Sequence, residues 1–184
     1  MDKTIIGIDP GLTVGWAEIH ANESGEVEIK SDQIAQEGKY DDKAYEPRHR
    51  LVPEVCARIR SVVEDRGSYM GVHVAIEGIV FYSDSIIGKS TIFTAVDIGY
   101  YFAEAASIPI ACYWISKPDH NRAVVGPGCS RRGTQAEKAR RLRIALENLY
   151  GEDKIKAANC RNDHKRNALS VATALAMRLG IVKW

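Results

Sequence analysis

Cysteine is scarce in this 184-residue chain, and the four present, Cys56, Cys112, Cys129 and Cys160, form no CxxC pair and no tight cluster. That excludes the dense disulfide framework of a small secreted domain and leaves reduced structural thiols as the natural reading. A zinc site can be drawn from His120, Cys129, Cys160 and His164, but the spacings fit no known finger. Long apolar runs are missing too. The longest stretches, Thr91 to Val96 and Ala168 to Ala176, contain polar residues and fall well short of the roughly 20 residues that cross a bilayer. There is no Pro/Gly-rich linker, no low-complexity tract and no internal repeat, so one domain over residues 1–184 is expected. The N-terminus lacks a basic region followed by an apolar stretch and a cleavage site, so the expectation is an intracellular protein with no membrane partner. What remains is 45% hydrophobic and 27% charged, the composition of a soluble globular chain.

Charge of one sign is absent only locally. Residues 1–116 carry 10 Lys/Arg against 18 Asp/Glu, a net of −8, whereas residues 117–166 carry 13 against 6, a net of +7. Arg178 and Lys183 bring the chain to +1. Within the basic segment Arg131, Arg132, Lys138, Arg140, Arg141 and Arg143 crowd together, preceded by Lys117 and Arg122 and followed by Lys165 and Arg166. An acidic body with one basic face suits a protein that grips a polyanion, and a solvated helix surface gives the same pattern.

The hydrophobic periodicity reads as β-β-β-α-β-α-β-α-α. Thr4 to Asp9 is a buried strand ending at an acid, Val14 to His20 alternates, and Glu26 to Ile34 follows the Ser24-Gly25 turn signal; together these make an antiparallel meander. Tyr45 to Arg66 places Leu51, Val55, Ile59 and Val62 at helical spacing, with Gly67 as the stop. Val72 to Val80 is an apolar strand, Ile86 to Ser107 a long helix, and Pro109 to Ile115 the fifth strand. Lys117 to Ser130 is a loop or short helix. Thr134 to Tyr150 is a basic helix capped by Thr134 with Glu137 three residues on, and Asp163 to Leu179 is an apolar helix with Gly180 after it. A meander followed by βαβ units gives an α/β fold: an RNase H-like mixed five-stranded sheet flanked by helices on both faces.

Two carboxylates stand out in that frame. Asp9 ends the first strand, just before Pro10-Gly11, and Glu77 lies between Ile76 and Ile79 in a strand that should be central. A buried acid is costly unless it is paired or binds a cation. Either could form an internal ion pair. Both together, on strands that this topology makes neighbours, favour a metal site, because hard divalent ions take carboxylate oxygens and two such ions can hold a phosphodiester for in-line attack by water. A polar cluster, Asn162-Asp163-His164-Lys165-Arg166-Asn167, opens the last helix. His164 and Asn167 fall on one face of it and Asp163 nearly shares that face; a simple helix cap is the plain alternative.

These stretches resemble a known family. Ile8-Asp9-Pro10-Gly11-Leu12-Thr13 with Gly15-Trp16 looks like the opening strand of RuvC-type Holliday junction resolvases. Ala75-Ile76-Glu77 followed by Phe81-Tyr82 is similar to their second acidic strand and its aromatic loop. Ser116-Lys117 through Val124-Val125-Gly126, then Ala136-Glu137-Lys138, resembles their basic segment, and His164-x-x-Asn167-Ala168-Leu169 their C-terminal helix motif. Each motif is weak alone, and four in the same order are strong.

The resemblance implies a homodimer that makes paired, metal-dependent nicks across four-way DNA junctions. Asp9, Glu77, His164 and Asn167 would then surround Mg²⁺, two ions per site with Mn²⁺ as a possible substitute, and His164 would act as ligand or as the base that orients the attacking water. Lys117, Arg122, Arg131, Arg132, Lys138, Arg141, Lys165 and Arg166 would meet phosphates, and Phe81 and Tyr82 would stack on bases. Thr91 to Ala106 carries apolar groups on more than one face, so Phe93, Val96 and Tyr100 are expected at an isologous dimer contact, a fully buried helix being the alternative.

One departure matters. The family has an acid where this chain has Asn167, whose amide oxygen can ligate Mg²⁺ without bringing charge. Asp163 substitutes for that acid, or the site is tuned to one acid fewer, or the sequence carries an inactivating acid-to-amide change. Three rival readings follow: an RNase H-like nuclease of forks, flaps or hybrids; a junction-binding form with impaired catalysis; and an actin-like ATPase, whose first phosphate loop Gly7-Ile8-Asp9-Pro10-Gly11 also resembles. The last needs two lobes and a second phosphate loop that is not visible, so no nucleotide cofactor is expected. If the alignment at the last helix is correct, Asn167→Asp raises Mg²⁺-dependent junction cleavage, and an assay showing no gain would count against it.

Overall fold

The computed structural model describes residues 2–11, 13–35, 51–79, 89–127 and 133–184, of which 89–93 by backbone alone. The expected elements that fall elsewhere, among them the first turns of the helices drawn from Tyr45 and Ile86, lie outside the described residues.

Three strands, β1 (Lys3–Asp9), β2 (Thr13–Ala21) and β3 (Val27–Ala35), form the antiparallel meander, with Ile8 opposite Trp16 and Ile19 opposite Ile29. Helix α1 (Leu51–Asp65) leads to β4 (Val72–Gly78), which pairs parallel with β1 in the register Ile8 to Ile76. Helix α2 (Lys89–Ser107) leads to β5 (Ala111–Ser116), parallel to β4. The sheet order is β3-β2-β1-β4-β5, so β1 is central and β3 and β5 are edges. Then come α3 (Lys117–Val125), α4 (Gln135–Tyr150), α5 (Glu152–Ala157) and α6 (Asp163–Arg178).

The expected mixed five-stranded sheet is therefore present, with adjustments at its edges. The fifth strand begins at Ala111 rather than Pro109, because proline has no N–H for a ladder bond. The fourth ends at Gly78. The segment after β5, expected as a loop or short helix, is a helix whose first turn is closed by the Ser116 hydroxyl, which accepts from the Asp119 N–H. Thr134 and Glu137 form the reciprocal cap expected of them, Thr134 N–H to Glu137 carboxylate at 2.7 Å. Helix α5 is an addition. It has six residues and one buried apolar side chain, Ile155, so no periodicity announces it.

Both sheet faces are covered, which is why β1 reads as a nearly unbroken apolar run. One face carries Ile6, Ile8, Trp16, Val74 and Ile76 against Val55 and Ile59 of α1 and Ile98 and Tyr101 of α2. The other carries Ile5, Ala17, Ile19, Ala75 and Ile115 against Ala168, Leu169, Ala172 and Leu175 of α6, with Leu142 and Leu146 of α4 behind. Helix α6 is buried continuously from Ala168 to Ala176.

Two glycines decide how closely α6 sits. A Cβ on Gly7 of β1 would lie 2.1 Å from the carbonyl oxygen of Ala168, and one on Gly15 of β2 would lie 2.1 Å from that of His164. The helix backbone thus rests on the strands with no side chain between. Strand alternation puts Gly7 on the same face as Asp9, and the same step puts Ala75 and Glu77 there. Gly7→Ala should force α6 off the sheet. The expected loss is about 1–3 kcal/mol, read as a fall in Tm of roughly 2–4 °C per kcal/mol for a chain of this size; an unchanged Tm would contradict this packing.

Candidate active site

The C-terminal ends of β1 and β4 lie side by side, and each delivers an acid to the face beneath the N-terminus of α6. Asp9 is 7% exposed. Its Oδ2 faces His164 Nδ1 at 3.2 Å and accepts from Asn167 Nδ2 at 3.3 Å. His164 and Asn167 are three positions apart, so one turn of α6 presents both to the same carboxylate. The helix starts where it does because Asn162 caps it, its side chain accepting from the Lys165 N–H at 2.9 Å. The Gly15 seat then fixes His164 against the strand end.

Glu77 has different company. Lys117 Nζ donates to Oε1 at 3.4 Å, and His120 Nε2 lies 3.1 Å from Oε2. Both partners come from the first turn of α3, which directly follows β5. His120 is fully buried, and its Nδ1 is 2.8 Å from Ser170 Oγ on α6.

These surroundings push the two acids apart. Burial raises the Asp9 pKa above the usual carboxylate value and the nearby Glu77 charge adds to it; the His164 hydrogen bond opposes but does not cancel them. Burial also works against ionisation of Glu77. There the His120 hydrogen bond and the Lys117 charge outweigh it, and the Glu77 pKa is held low. The hydrogen bond to Asp9 raises the His164 pKa, against a smaller effect of desolvation. Asp9 is therefore a buried carboxylate short of positive charge.

That shortage is the physical argument for a cation. The hard oxygen donors at this end of the sheet are Asp9, Glu77 and the amide oxygen of Asn167, a set suited to Mg²⁺ or Mn²⁺. Among the described residues no three His, Cys, Asp or Glu side chains are disposed to hold one ion as they stand. Each carboxylate accepts N–H donors instead.

Other candidates are placed differently. Asp163 turns outward, its side chain 67% exposed, and pairs with Arg166 at 2.5 Å; the structure does not bring it to Asp9 or Glu77. Arg166 also donates to the Arg161 carbonyl at 2.6 Å. Lys165 is buried, and its charge acts on Asp32 and Cys160 near β3. Lys165 and Arg166 are thus engaged within the protein. Lys117 sits at the mouth of the site, and Arg122 and Arg141 are exposed on α3 and α4, with Lys138 half-buried. Of the expected dimer-contact residues, Val96 is 39% and Tyr100 51% exposed, while Ile98, Tyr101 and Ala105 of the same helix are buried, so α2 is not buried on all sides. Phe81, Tyr82, Arg131, Arg132 and the Phe93 side chain lie outside the described residues, as does Cys129 of the zinc grouping. His120 of that grouping faces Glu77 and Ser170.

The sequence pattern places His120 only in the zinc grouping and gives Ser170 no site role. A signal existed. Ser170 lies three residues beyond Asn167, the same step that brings His164 and Asn167 to Asp9, in an otherwise apolar run from Ala168 to Ala172.

No model of a protein family matches the sequence, and no curated protein matches it. Solved structures do. The RuvC structure of Thermus thermophilus superposes with a TM-score of 0.64 at 17% identity, over 98% of this chain and 98% of that one. T. thermophilus RuvC in complex with a Holliday junction substrate gives 0.63 at 19% identity, again over 98% of each chain. The yeast mitochondrial Holliday junction resolvase Ydc2 gives 0.54 at 12% identity, over 94% of this chain and 75% of its own. The RNase H-like architecture of the RuvC resolvases thus extends over nearly the whole chain, as the motifs implied.

The Asp9–His164 contact makes a specific prediction. With Asp9→Asn the imidazole loses both an ionised acceptor and a neighbouring negative charge, so the His164 pKa should fall, as followed by NMR titration of its ring resonances. An unchanged titration would mean that the two side chains do not meet in solution.

Proposed function

We propose that this chain is a divalent-metal-dependent endonuclease that resolves four-way DNA junctions, acting within the cell as a homodimer of single-domain subunits. One observation carries the reading: Asp9 and Glu77 end adjacent strands beneath the polar N-terminus of α6, in a fold shared over nearly its whole length with RuvC resolvases. Asp9, Glu77 and the Asn167 amide oxygen would hold Mg²⁺ or Mn²⁺, with His164 beside them. The cation, when bound, supplies Lewis-acid polarisation of a phosphodiester and an activated water.

The remaining roles belong to the chain's own side chains. Asp9 orients His164 through Nδ1, leaving Nε2 of the half-exposed ring to accept a proton from a water. Lys117 is placed to meet a phosphate at the mouth of the site, and the exposed cations of α3 and α4 extend the positive surface. Such contacts give affinity and salt dependence without base readout. Val96 and Tyr100 on α2 offer apolar surface for a second copy, and two sites are what paired nicks on a symmetric junction require.

One observation favours a second reading, a junction-binding protein with impaired catalysis. Asn167 donates its amide N–H to Asp9 where an acid would add charge. A mobile four-way junction, a fork, a duplex and an RNA–DNA hybrid, assayed for binding in Ca²⁺ and for cleavage in Mg²⁺ or Mn²⁺, separate the possibilities. The expected outcome is preference for the four-way junction with paired cuts, and a loss on Asp9→Asn larger than the roughly 10–100-fold typical of groups that merely support a metal ligand. Junction binding without cleavage by the chain or by Asn167→Asp would favour the second reading. Preference for fork or hybrid would replace the substrate.

A further inference from the structure

His120, on α3, has no exposed surface, and its ring lies between Glu77 of β4 and Ser170 of α6. Its two ring nitrogens have defined neighbours: Glu77 Oε2 at 3.1 Å and Ser170 Oγ at 2.8 Å. An ionised carboxylate can only accept, so the Nε2 facing it carries the hydrogen, and the Nδ1 of a neutral ring must then accept. Among the described residues, the Ser170 hydroxyl is the group there to donate. A serine inside a helix commonly bonds back to the carbonyl four residues earlier, as Thr173 does to Leu169 at 2.7 Å. Ser170 turns its hydroxyl to His120 instead.

We propose that His120, held in one tautomer by Ser170, is a positioning residue for Glu77: it binds Oε2 and leaves Oε1 facing the mouth of the site. The inference rests on the metal-binding reading of Glu77 given above. His120 and Ser170 each bring a polar group into a buried region that also holds Val124, Val171 and Ala172, and among the described residues the group the pair bonds beyond itself is Glu77. Apolar residues of like volume would fill the same space without hydrogen-bonding demands. Lys117 meets the other oxygen at 3.4 Å from a half-exposed side chain, so Oε1 is the more readily released of the two. The hydrogen-bond partners of a ligating carboxylate fix its direction, and losing one lowers metal affinity about 10–100-fold.

The test uses the full chain, Mn²⁺ alone as the probe, and three variants. Calorimetric Mn²⁺ affinity should fall about 10–100-fold for His120→Leu and recover most of that loss in His120→Gln, whose amide N–H can reach the same carboxylate oxygen. Ser170→Ala should weaken Mn²⁺ binding in the same direction. Nitrogen-15 spectra of the wild-type ring should show one Nε2–H tautomer, and Ser170→Ala should turn it into a mixture. Equal loss in His120→Leu and His120→Gln, or a Ser170→Ala chain with wild-type affinity and tautomer, would overturn the inference and leave the metal site standing. If His120→Leu does not fold, Ser170→Ala decides, since it removes a single oxygen. A wild-type chain that binds no Mn²⁺ would overturn the metal reading itself, and with it the role given to His120.

Discussion

The backbone-to-backbone seat of α6 on β1 and β2 is the contact on which the rest depends. Gly7 and Gly15 remove the side chains that would hold the helix away, and carbonyl oxygens of Ala168 and His164 occupy the space a methyl group would need. This has two consequences. Small residues on the facing turn, Ala168 and Ala172, can bury completely against Ile5 and Ala17. And the first turn of the helix is carried to the strand ends, so that His164 and Asn167 both meet Asp9. Packing and site geometry are set by the same two glycines.

Electrostatics then divides the labour between the acids. Each is largely buried, and burial alone would make both reluctant to ionise. Glu77 is rescued by α3, which brings a charged ammonium and an imidazole to its two oxygens. Among the described residues Asp9 is hydrogen-bonded by an imidazole and a neutral amide, with the Lys117 charge acting on it without direct contact, and it stays the more easily protonated of the pair. In the proposed function, a bound cation would supply Asp9 with the positive charge that Glu77 already receives from Lys117. The amide at position 167 adds no further negative charge and donates its N–H to Asp9.

Much of the arrangement was readable in the sequence because it rests on local pattern. The β-branched run ending at Asp9, the alternation from Val14 to His20 and the Thr134–Glu137 cap each follow from a few adjacent residues. The sheet order followed from a meander leading into βαβ units. Three things could not be read so. Helix α5 is too short for a hydrophobic period to register. The partnership of His120 with Glu77 and Ser170 joins residues 43 and 50 positions away, and depends on how α3 and α6 are rotated about their axes, which the pattern of each helix leaves open. For the same reason Lys165 and Asp163, neighbours in a polar cluster, part company: the phase of α6 on the sheet buries the lysine and turns the acid out to Arg166.

Convergence of the two strand ends with the start of α6 around one cation is open to direct measurement. Mn²⁺ broadens NMR resonances near its binding site, so substoichiometric Mn²⁺ should broaden signals of Asp9, Glu77, His164 and Asn167 together, while those of α5 and the edge strand β3 stay sharp. Broadening confined to one of these three segments, or spread over the acidic surface at large, would contradict a shared site.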